Sequence, residues 1–449
     1  MSTESDSEAI DRLAERIAGR QAVVGVIGLG YVGLPLAVAI ARSGYVVVGL
    51  DVDPEKPKRI AAGQSYVGAV MSADLERLVA EERLSATTEF AALQRCDLVI
   101  VCVPTPLTRH RTPDMSYIEA TARTIVEHLR AGQLIVLEST TYPGTTREVV
   151  LPILESRGLA AGRHFLLGYS PEREDPGNQS FETASIPKVV SGLDARTSDL
   201  VTAFYAAVVR EVVPVPSCEV AEAVKITENI FRAVNIALVN ELKMIFDAMG
   251  LDIWQIIDAA KTKPFGYMPF YPGPGLGGHC IPIDPYYLVW KAREFEVPTR
   301  FIELAGEINT HMPFYVVRRL EEALDRTAST ALGSSKILLI GLAYKKNVAD
   351  IRESPSLKLL ELLERRGAEV AYHDPHVLTV PVTREHPDLR GRESVPLSAA
   401  AVAGHDAVLI ATDHDAVDYE LIAENAQLIL DTRNVLGRLG LAGKNVVKA

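Results

Sequence analysis

The chain is short of cysteine, of tryptophan and of positive charge, and it has no long uninterrupted apolar run. Four cysteines occur in 449 residues (Cys96, Cys102, Cys218 and Cys280), with no CxxC and no Cys/His cluster. That excludes a disulfide scaffold and a zinc centre, predicts no metal, and fits a reducing, cytoplasmic compartment. Lys and Arg total 46 against 58 Asp and Glu, a formal charge of −12. Such an acidic balance argues against nucleic acid or an anionic membrane as the main partner. The apolar runs are broken by glycine before they reach spanning length. Met1–Glu8 is polar and acidic, which excludes a signal peptide, and residues 1–20 read as an N-terminal tail. The length suits two or three domains, and 48% hydrophobic residues suffice for real cores.

Glycine and proline are plentiful in one place. Phe265–Pro285 reads FGYMPFYPGPGLGGHCIPIDP, with Gly273, Gly275, Gly277 and Gly278 among prolines. No strand or long helix survives that density, so this is a shaped loop delivering Cys280. Asp284, Tyr287, Leu288, Lys291 and Phe295 then follow at helical spacing, with prolines suited to a first turn. Cys280 would stand at a helix N-terminus, where the dipole favours thiolate, with Asp284 in the first turn. A lone cysteine is more often a small buried hydrophobe. Two glycines directly before it argue the other way, because they clear the approach to the sulfur.

Residues 21–213 open with a β-rich run, Ala22–Val26, then Gly28-Leu29-Gly30-Tyr31-Val32-Gly33, a helical stretch, a second strand Val46–Leu50 and Asp51. Strand, GxGxxG, helix, strand and carboxylate in that order make a dinucleotide site. Gly28 allows the tight turn, Gly30 lets backbone approach a pyrophosphate, and Gly33 lets helix pack on strand. Asp51 favours NAD over NADP, with Lys56 nearby. Further strands end in Pro104-Thr105-Pro106, in Glu138-Ser139-Thr140-Thr141, and in Ser170-Pro171-Glu172-Arg173. Carboxyl ends of strands are where open α/β sheets bind ligands, although turn and capping chemistry explains each of these alone.

Residues 214–328 begin at Pro214 and Pro216. Ser217 caps a helix running to Met249 and stopped by Gly250, about 50 Å long at 1.5 Å per residue. It reads as a spine between domains and a dimer surface. Val220, Val224, Phe231, Val234, Leu238, Leu242 and Ile245 supply its apolar face; Lys225, Asn229, Arg232 and Asn240 lie on another stripe. Lys225 and Asn229, four apart, are neighbours that could aim an ammonium and an amide at one oxygen. Residues 329–449 form a second α/β unit without GxGxxG, whose first strand ends in Ala343-Tyr344-Lys345-Lys346-Asn347 and leads to Arg352. The fold class is therefore α/β: two Rossmann-like doubly wound parallel-sheet domains joined by a long central helix.

Taken together, these residues make the chain resemble the UDP-glucose/GDP-mannose dehydrogenase superfamily from Val24 to about Arg433. The resemblance rests on GxGxxG with Asp51, VPTP, EST, SPER, the Lys225/Asn229 helix, GGHCIPIDP and GLAYKKNVADIRESPS. PGPGLGGHCIPIDP after KPFGYMPFY is similar to the branch that oxidises UDP-N-acetylhexosamines, particularly UDP-N-acetylglucosamine. His279, and Ile rather than Lys before Asp284, separate it from the UDP-glucose enzymes. The resemblance implies a four-electron oxidation of the sugar C6 alcohol by two NAD⁺ through a Cys280 thiohemiacetal and thioester. It implies catalytic roles for Cys280, Lys225, Asn229, Asp284, Glu172 and Thr140. NAD would be held by Gly28, Gly30, Tyr31, Val32, Gly33, Asp51, Lys56, Pro104, Thr105, Ser139 and Thr140, with Arg352. The UDP-sugar would meet Glu172, Arg173, Lys225, Asn229, Tyr271, Gly273, Gly275, Gly277, Gly278, Tyr344 and Lys345. It further implies a homodimer or higher homo-oligomer. One departure is that 261–265 (KTKPF) lacks the Arg that UDP-glucose enzymes reach into the partner's site. Lys261 or Lys263 would substitute without bidentate geometry.

Two rivals stand beside this reading. A nucleotide-sugar epimerase would want a Tyr-x-x-x-Lys pair and no cysteine. A non-catalytic NAD/UDP-sugar scaffold would have lost Cys280 or Lys225. Among substrates, UDP-N-acetylgalactosamine, UDP-N-acetylmannosamine and UDP-glucose are the alternatives, since spacing does not read one hydroxyl's orientation.

Overall fold

The structure is a computed structural model that describes residues 6–108, 110–173, 183–278, 280–328, 330–383 and 385–449, so His279 lies outside the described residues. It divides into two compact units, residues 1–228 with 286–297 and residues 229–285 with 298–449.

The first unit is built on an eight-stranded sheet: β1 (Val23–Ile27), β2 (Val46–Leu50), β3 (Leu84–Thr87), β4 (Leu98–Val101), β5 (Gln133–Leu137), β6 (Phe165–Tyr169), β7 (Lys188–Gly192) and β8 (Val212–Pro214). Their order is β3-β2-β1-β4-β5-β6-β7-β8. Pairing is parallel except between β6 and β7. The inner strands β1, β4, β5 and β6 are mostly apolar because both faces are covered. Leu98 and Ile100 of β4 enter one core, Val99 and Val101 the other. The expected strands missed β3 and β8; both are short edge strands, and β8 ends on Pro214, which an edge tolerates.

The N-terminal tail is corrected. Asp6–Ala18 is a helix, and Ile10, Leu13 and Ile17 bury its apolar face in the first core. Its Arg16 pairs with Asp97 at 2.8 Å. The 10/13/17 spacing was the signal, masked by the acidic residues around it.

The second unit carries a five-stranded parallel sheet, β9 (Lys336–Ile340), β10 (Glu369–His373), β11 (Ala407–Ile410), β12 (Ile429–Asp431) and β13 (Val446–Lys448), in the order β10-β9-β11-β12-β13. Its core takes Met312, Tyr315, Val316, Leu320 and Leu324 from the helix Arg300–Ala328. Shared burial is why most of 214–328 falls with this unit rather than forming a third body. The central helix, Cys218–Ala248, begins in the first unit and ends in the second.

The two stripes of that helix depart in part from ordinary amphipathic expectation, with Val224, Val234 and Leu242 half-buried. Val220, Phe231, Leu238 and Ile245 are exposed, at 42–50%, whereas Lys225, Asn229, Asn240 and Lys243 are buried. Arg232, read on the same stripe as Lys225, is exposed. Among the described residues no helix is long and apolar enough to cross a membrane, and no three His, Cys, Asp or Glu cluster to hold a metal.

Candidate active site

In the first unit the dinucleotide turn follows β1. Gly28 has φ +92°, and a Cβ there would meet the Cys102 carbonyl at 2.4 Å. A Cβ at Gly33 would stand 1.8 Å from the Gly28 oxygen, so the helix Gly33–Arg42 packs against this turn only through glycine. A Cβ at Gly30 would project into open space. The Leu29 peptide between them is held from both sides. Its N–H donates to Asp51 Oδ2 at 2.8 Å and its carbonyl accepts from Tyr66 at 2.8 Å. Asp51 is 5% exposed, accepts from Lys56 Nζ at 2.8 Å and takes the Asp53 amide on its other oxygen at 3.0 Å. A tight turn, a clear approach and a positioned carboxylate are what a dinucleotide requires, so these residues fit NAD. Tyr31 is exposed and Val32 half-buried on the same turn.

The strand exits next to it differ in kind. Pro104 is exposed; Thr105 is buried, and its carbonyl accepts from Tyr287 at 2.9 Å. Ser139 accepts from the Val103 amide at 3.0 Å and donates to the Val103 carbonyl at 2.8 Å, stapling two exits together. Glu138 is buried with Lys188, 2.7 Å away, and Tyr205. Thr140, one turn residue later, is half-buried.

The central helix grips these exits. Lys225 pairs with Glu172 at 3.0 Å, both under 10% exposed. Arg173 is committed elsewhere, to Glu228 at 2.5 Å and the Pro187 carbonyl at 2.8 Å. Glu222, which the sequence reading passed over, is fully buried and accepts from Gly144 N at 2.6 Å, Thr146 N at 2.8 Å and Thr146 Oγ1 at 2.7 Å. Burial pushes its carboxyl up to about 7, against the pull of those bonds. The signal was its place one turn before Lys225, on the same face.

In the second unit the glycine loop is moulded against fixed neighbours. Gly273 N donates to Asn240 Oδ1 at 3.1 Å, Asn240 donates to Asn309 at 2.9 Å, and Asn309 donates to the Ala233 carbonyl at 3.0 Å. A Cβ at Gly273 would meet Arg433 Nη1 at 2.5 Å. Gly275 has φ +135°; Cβ atoms at Gly277 and Gly278 would strike Tyr344 at 2.6 and 2.8 Å. Gly278 N donates to the Arg352 carbonyl at 3.0 Å. Tyr271 is exposed and stacks on Trp254, ring centroids 5.7 Å apart.

Cys280 is half-buried at the end of this loop. Its carbonyl accepts from the amides of Ile283 and Asp284 at 3.1 and 2.8 Å, placing it at the start of the helix Asp284–Ala292. Asp284, 1% exposed, accepts from Asn229 at 2.6 Å. Lys345 is half-buried, and Arg352 is exposed and pairs with Asp350 at 2.6 Å. Arg433 was not foreseen as a site residue. It lies at the carboxyl end of β12, its Nε donates to the Ala411 carbonyl at 2.8 Å, and burial pulls its guanidinium below the ordinary arginine range. The visible signal was an Arg directly after a strand end.

A dinucleotide turn on one doubly wound sheet, a second such sheet, and a cysteine presented at a helix start define a dehydrogenase of the two-sheet kind. The chain belongs to the UDP-glucose/GDP-mannose dehydrogenase family. The family's NAD binding domain matches residues 22–209, its central domain 219–311 and its UDP binding domain 338–438. The chain is thus an NAD-dependent oxidoreductase of nucleotide sugars. It is 35% identical to UDP-N-acetyl-D-glucosamine 6-dehydrogenase of Pseudomonas aeruginosa, over 92% of this chain and 95% of that one. It is 32% identical to the NDP-N-acetyl-D-galactosaminuronic acid dehydrogenase of Ralstonia nicotianae, over 92% of this chain; the share of the relative covered is 96% or 97% among the Ralstonia proteins of that name. The solved structure of a UDP-D-ManNAc dehydrogenase from Pyrococcus horikoshii matches with a TM-score of 0.84 at 33% identity, covering 95% of this chain and 97% of that one.

Proposed function

We propose that the protein oxidises the C6 alcohol of a UDP-N-acetylhexosamine, UDP-N-acetylglucosamine foremost, to the corresponding uronic acid, through covalent intermediates on Cys280. The observation that carries this is Cys280 at the start of the Asp284 helix, with Asp284 held by Asn229 at 2.6 Å. The helix dipole favours thiolate there, and thiolate is the strongest nucleophile available near neutral pH.

NAD, when bound, supplies the hydride acceptor for each of the two oxidations. In the first, the alcohol proton passes to a water held by Asp284. Lys225 is ion-paired with Glu172, so it serves as donor to the developing alkoxide rather than as base. Cys280 sulfur then adds to the aldehyde carbon, forming a C–S bond and a thiohemiacetal whose oxyanion Asn229 and Lys225 stabilise. The second hydride loss leaves a thioester. Water, oriented by Thr140 and Glu172 and deprotonated toward Asp284, breaks the C–S bond and releases carboxylate and thiol. Covalent capture keeps the aldehyde from escaping.

On this reading Gly28, Gly30, Gly33, Asp51 and Lys56 hold NAD, and Tyr344, Lys345 and the 273–278 loop hold the nucleotide sugar. The exposed apolar residues Phe231, Leu238 and Ile245 support self-association into a dimer. The relatives named above differ in the hexosamine they are named for, so the substrate is decided by assay. With limiting sugar and excess NAD⁺, UDP-N-acetylglucosamine should yield two NADH per sugar, and more slowly, or not at all, from the galacto, manno and glucose nucleotides. One NADH per sugar would end the Cys280 route, and a different productive tube would reassign the epimer.

Asp51→Ala should raise the KM for NAD about 10- to 100-fold, the loss of one charged hydrogen bond to ribose. The KM for the nucleotide sugar should stay within about twofold on the same grounds. Steady-state kinetics with each substrate varied decides it; equal losses would mean Asp51 acts on the fold rather than the cofactor.

A further inference from the structure

In open α/β sheets ligands enter where the strand order reverses. In the second sheet that point lies between β9 and β11, at the loops 341–347 and 411–415. The protein's own groups fill it. Asn347, in the left-handed region at φ +59°, donates its amide N–H to His414 Nδ1 at 2.9 Å. Its side chain donates to Asp415 Oδ2 at 2.6 Å and accepts from the Asp415 amide at 3.0 Å. Lys346 pairs with the other Asp415 oxygen at 2.6 Å, and Thr412 Oγ1 donates to the Ala343 carbonyl at 2.6 Å.

Behind this, His414 is fully buried. Since Nδ1 accepts, its Nε2 carries the proton toward Asp374 Oδ2, 3.1 Å away. The same Asp374 oxygen receives the amides of Leu342 and Ala343 at 2.6 and 3.0 Å, while Oδ1 takes those of His376 and Val377. Asp374 follows β10 as Asp51 follows β2, and it takes five protein donors where Asp51 takes three. The loop so fastened presents Tyr344, the surface on which Gly277 and Gly278 rest, and Lys345.

We infer that Asn347, His414 and Asp415 form a clasp that closes the ligand crevice of the second sheet and positions the Tyr344–Lys345 segment for the nucleotide end of the substrate. They are positioning residues, acting through their neighbours, and the inference rests on the assignment of Tyr344 and Lys345 to the nucleotide sugar. Asp415 and Asn347 are exposed, and φ +59° suits glycine, so Asp415→Ala and Asn347→Gly should leave the fold intact.

The test titrates UDP calorimetrically into the full chain and the Asn347→Gly, Asp415→Ala and double variants, with NAD kinetics alongside. UDP affinity should fall about tenfold in each single variant, the loss of a charged hydrogen bond. The double should be no worse than the weaker single, because both cut one clasp. The KM for NAD should stay within about twofold. Unchanged UDP affinity, additive losses, or an equal loss in NAD would overturn the clasp. A native chain that binds no UDP would instead overturn the substrate assignment on which it rests.

Discussion

On the proposed mechanism Cys280→Ser should lower uronic acid formation by roughly 10³- to 10⁵-fold, as removal of a covalent nucleophile does elsewhere. Serine keeps the size of the side chain and the turn whose carbonyl caps the Asp284 helix, so folding and NAD binding persist. What should disappear is the thiolate, since a serine hydroxyl is a far weaker nucleophile near neutral pH. The check is single-turnover NADH release with limiting nucleotide sugar, beside calorimetric NAD binding. At most one NADH per sugar is expected. Two NADH per sugar from the serine variant would remove Cys280 from the chemistry and return it to a packing role.

Lys225→Met should produce two separable losses. Lys225 and Glu172 are 3.0 Å apart and both buried. Removing the cation alone strands a buried carboxylate, at a cost of about 3–5 kcal/mol in stability. If Lys225 also stabilises oxyanions, turnover falls by about 10²- to 10³-fold. The double variant Lys225→Met/Glu172→Gln tells the two apart. A neutral pair of similar volume recovers most of the stability, because the stranded charge is gone. It does not recover turnover, because no donor has returned. Thermal unfolding and initial rates on the three variants read this directly. Turnover restored together with stability would make the pair structural only.

Much of this protein is local in its sequence. Most inner strands of both sheets are short apolar β-rich runs such as Asp97–Val103, legible because a sheet covered on both faces needs no alternation, whereas the edge strands β3 and β8 were not. The dinucleotide turn and Asp51 are separated by one helix and one strand, so spacing alone placed them. Phe265–Pro285 excludes regular structure by its own glycine and proline, and Cys280 follows at a fixed distance from the helix it precedes.

What only the tertiary structure decided is which segment covers each face and supplies each partner. Periodicity on the central helix separated an apolar stripe from a polar one, yet Lys225, Asn229 and Asn240 of the polar stripe are buried, and Val220, Phe231, Leu238 and Ile245 of the apolar one are exposed. A buried Lys225, Asn229 or Glu222 is stable only because Glu172, Asp284 and the 144–146 turn, each at least 53 residues away in sequence, bring matching groups. The same holds for Arg433 beside Gly273 and for His414 between Asn347 and Asp374. The free energy of burying a polar group is set by its partners, and no window of sequence contains them. Residue types and spacings therefore determined the family, the cofactor turn and the loop that carries Cys280; long-range contacts determined how the polar groups around them are buried and paired.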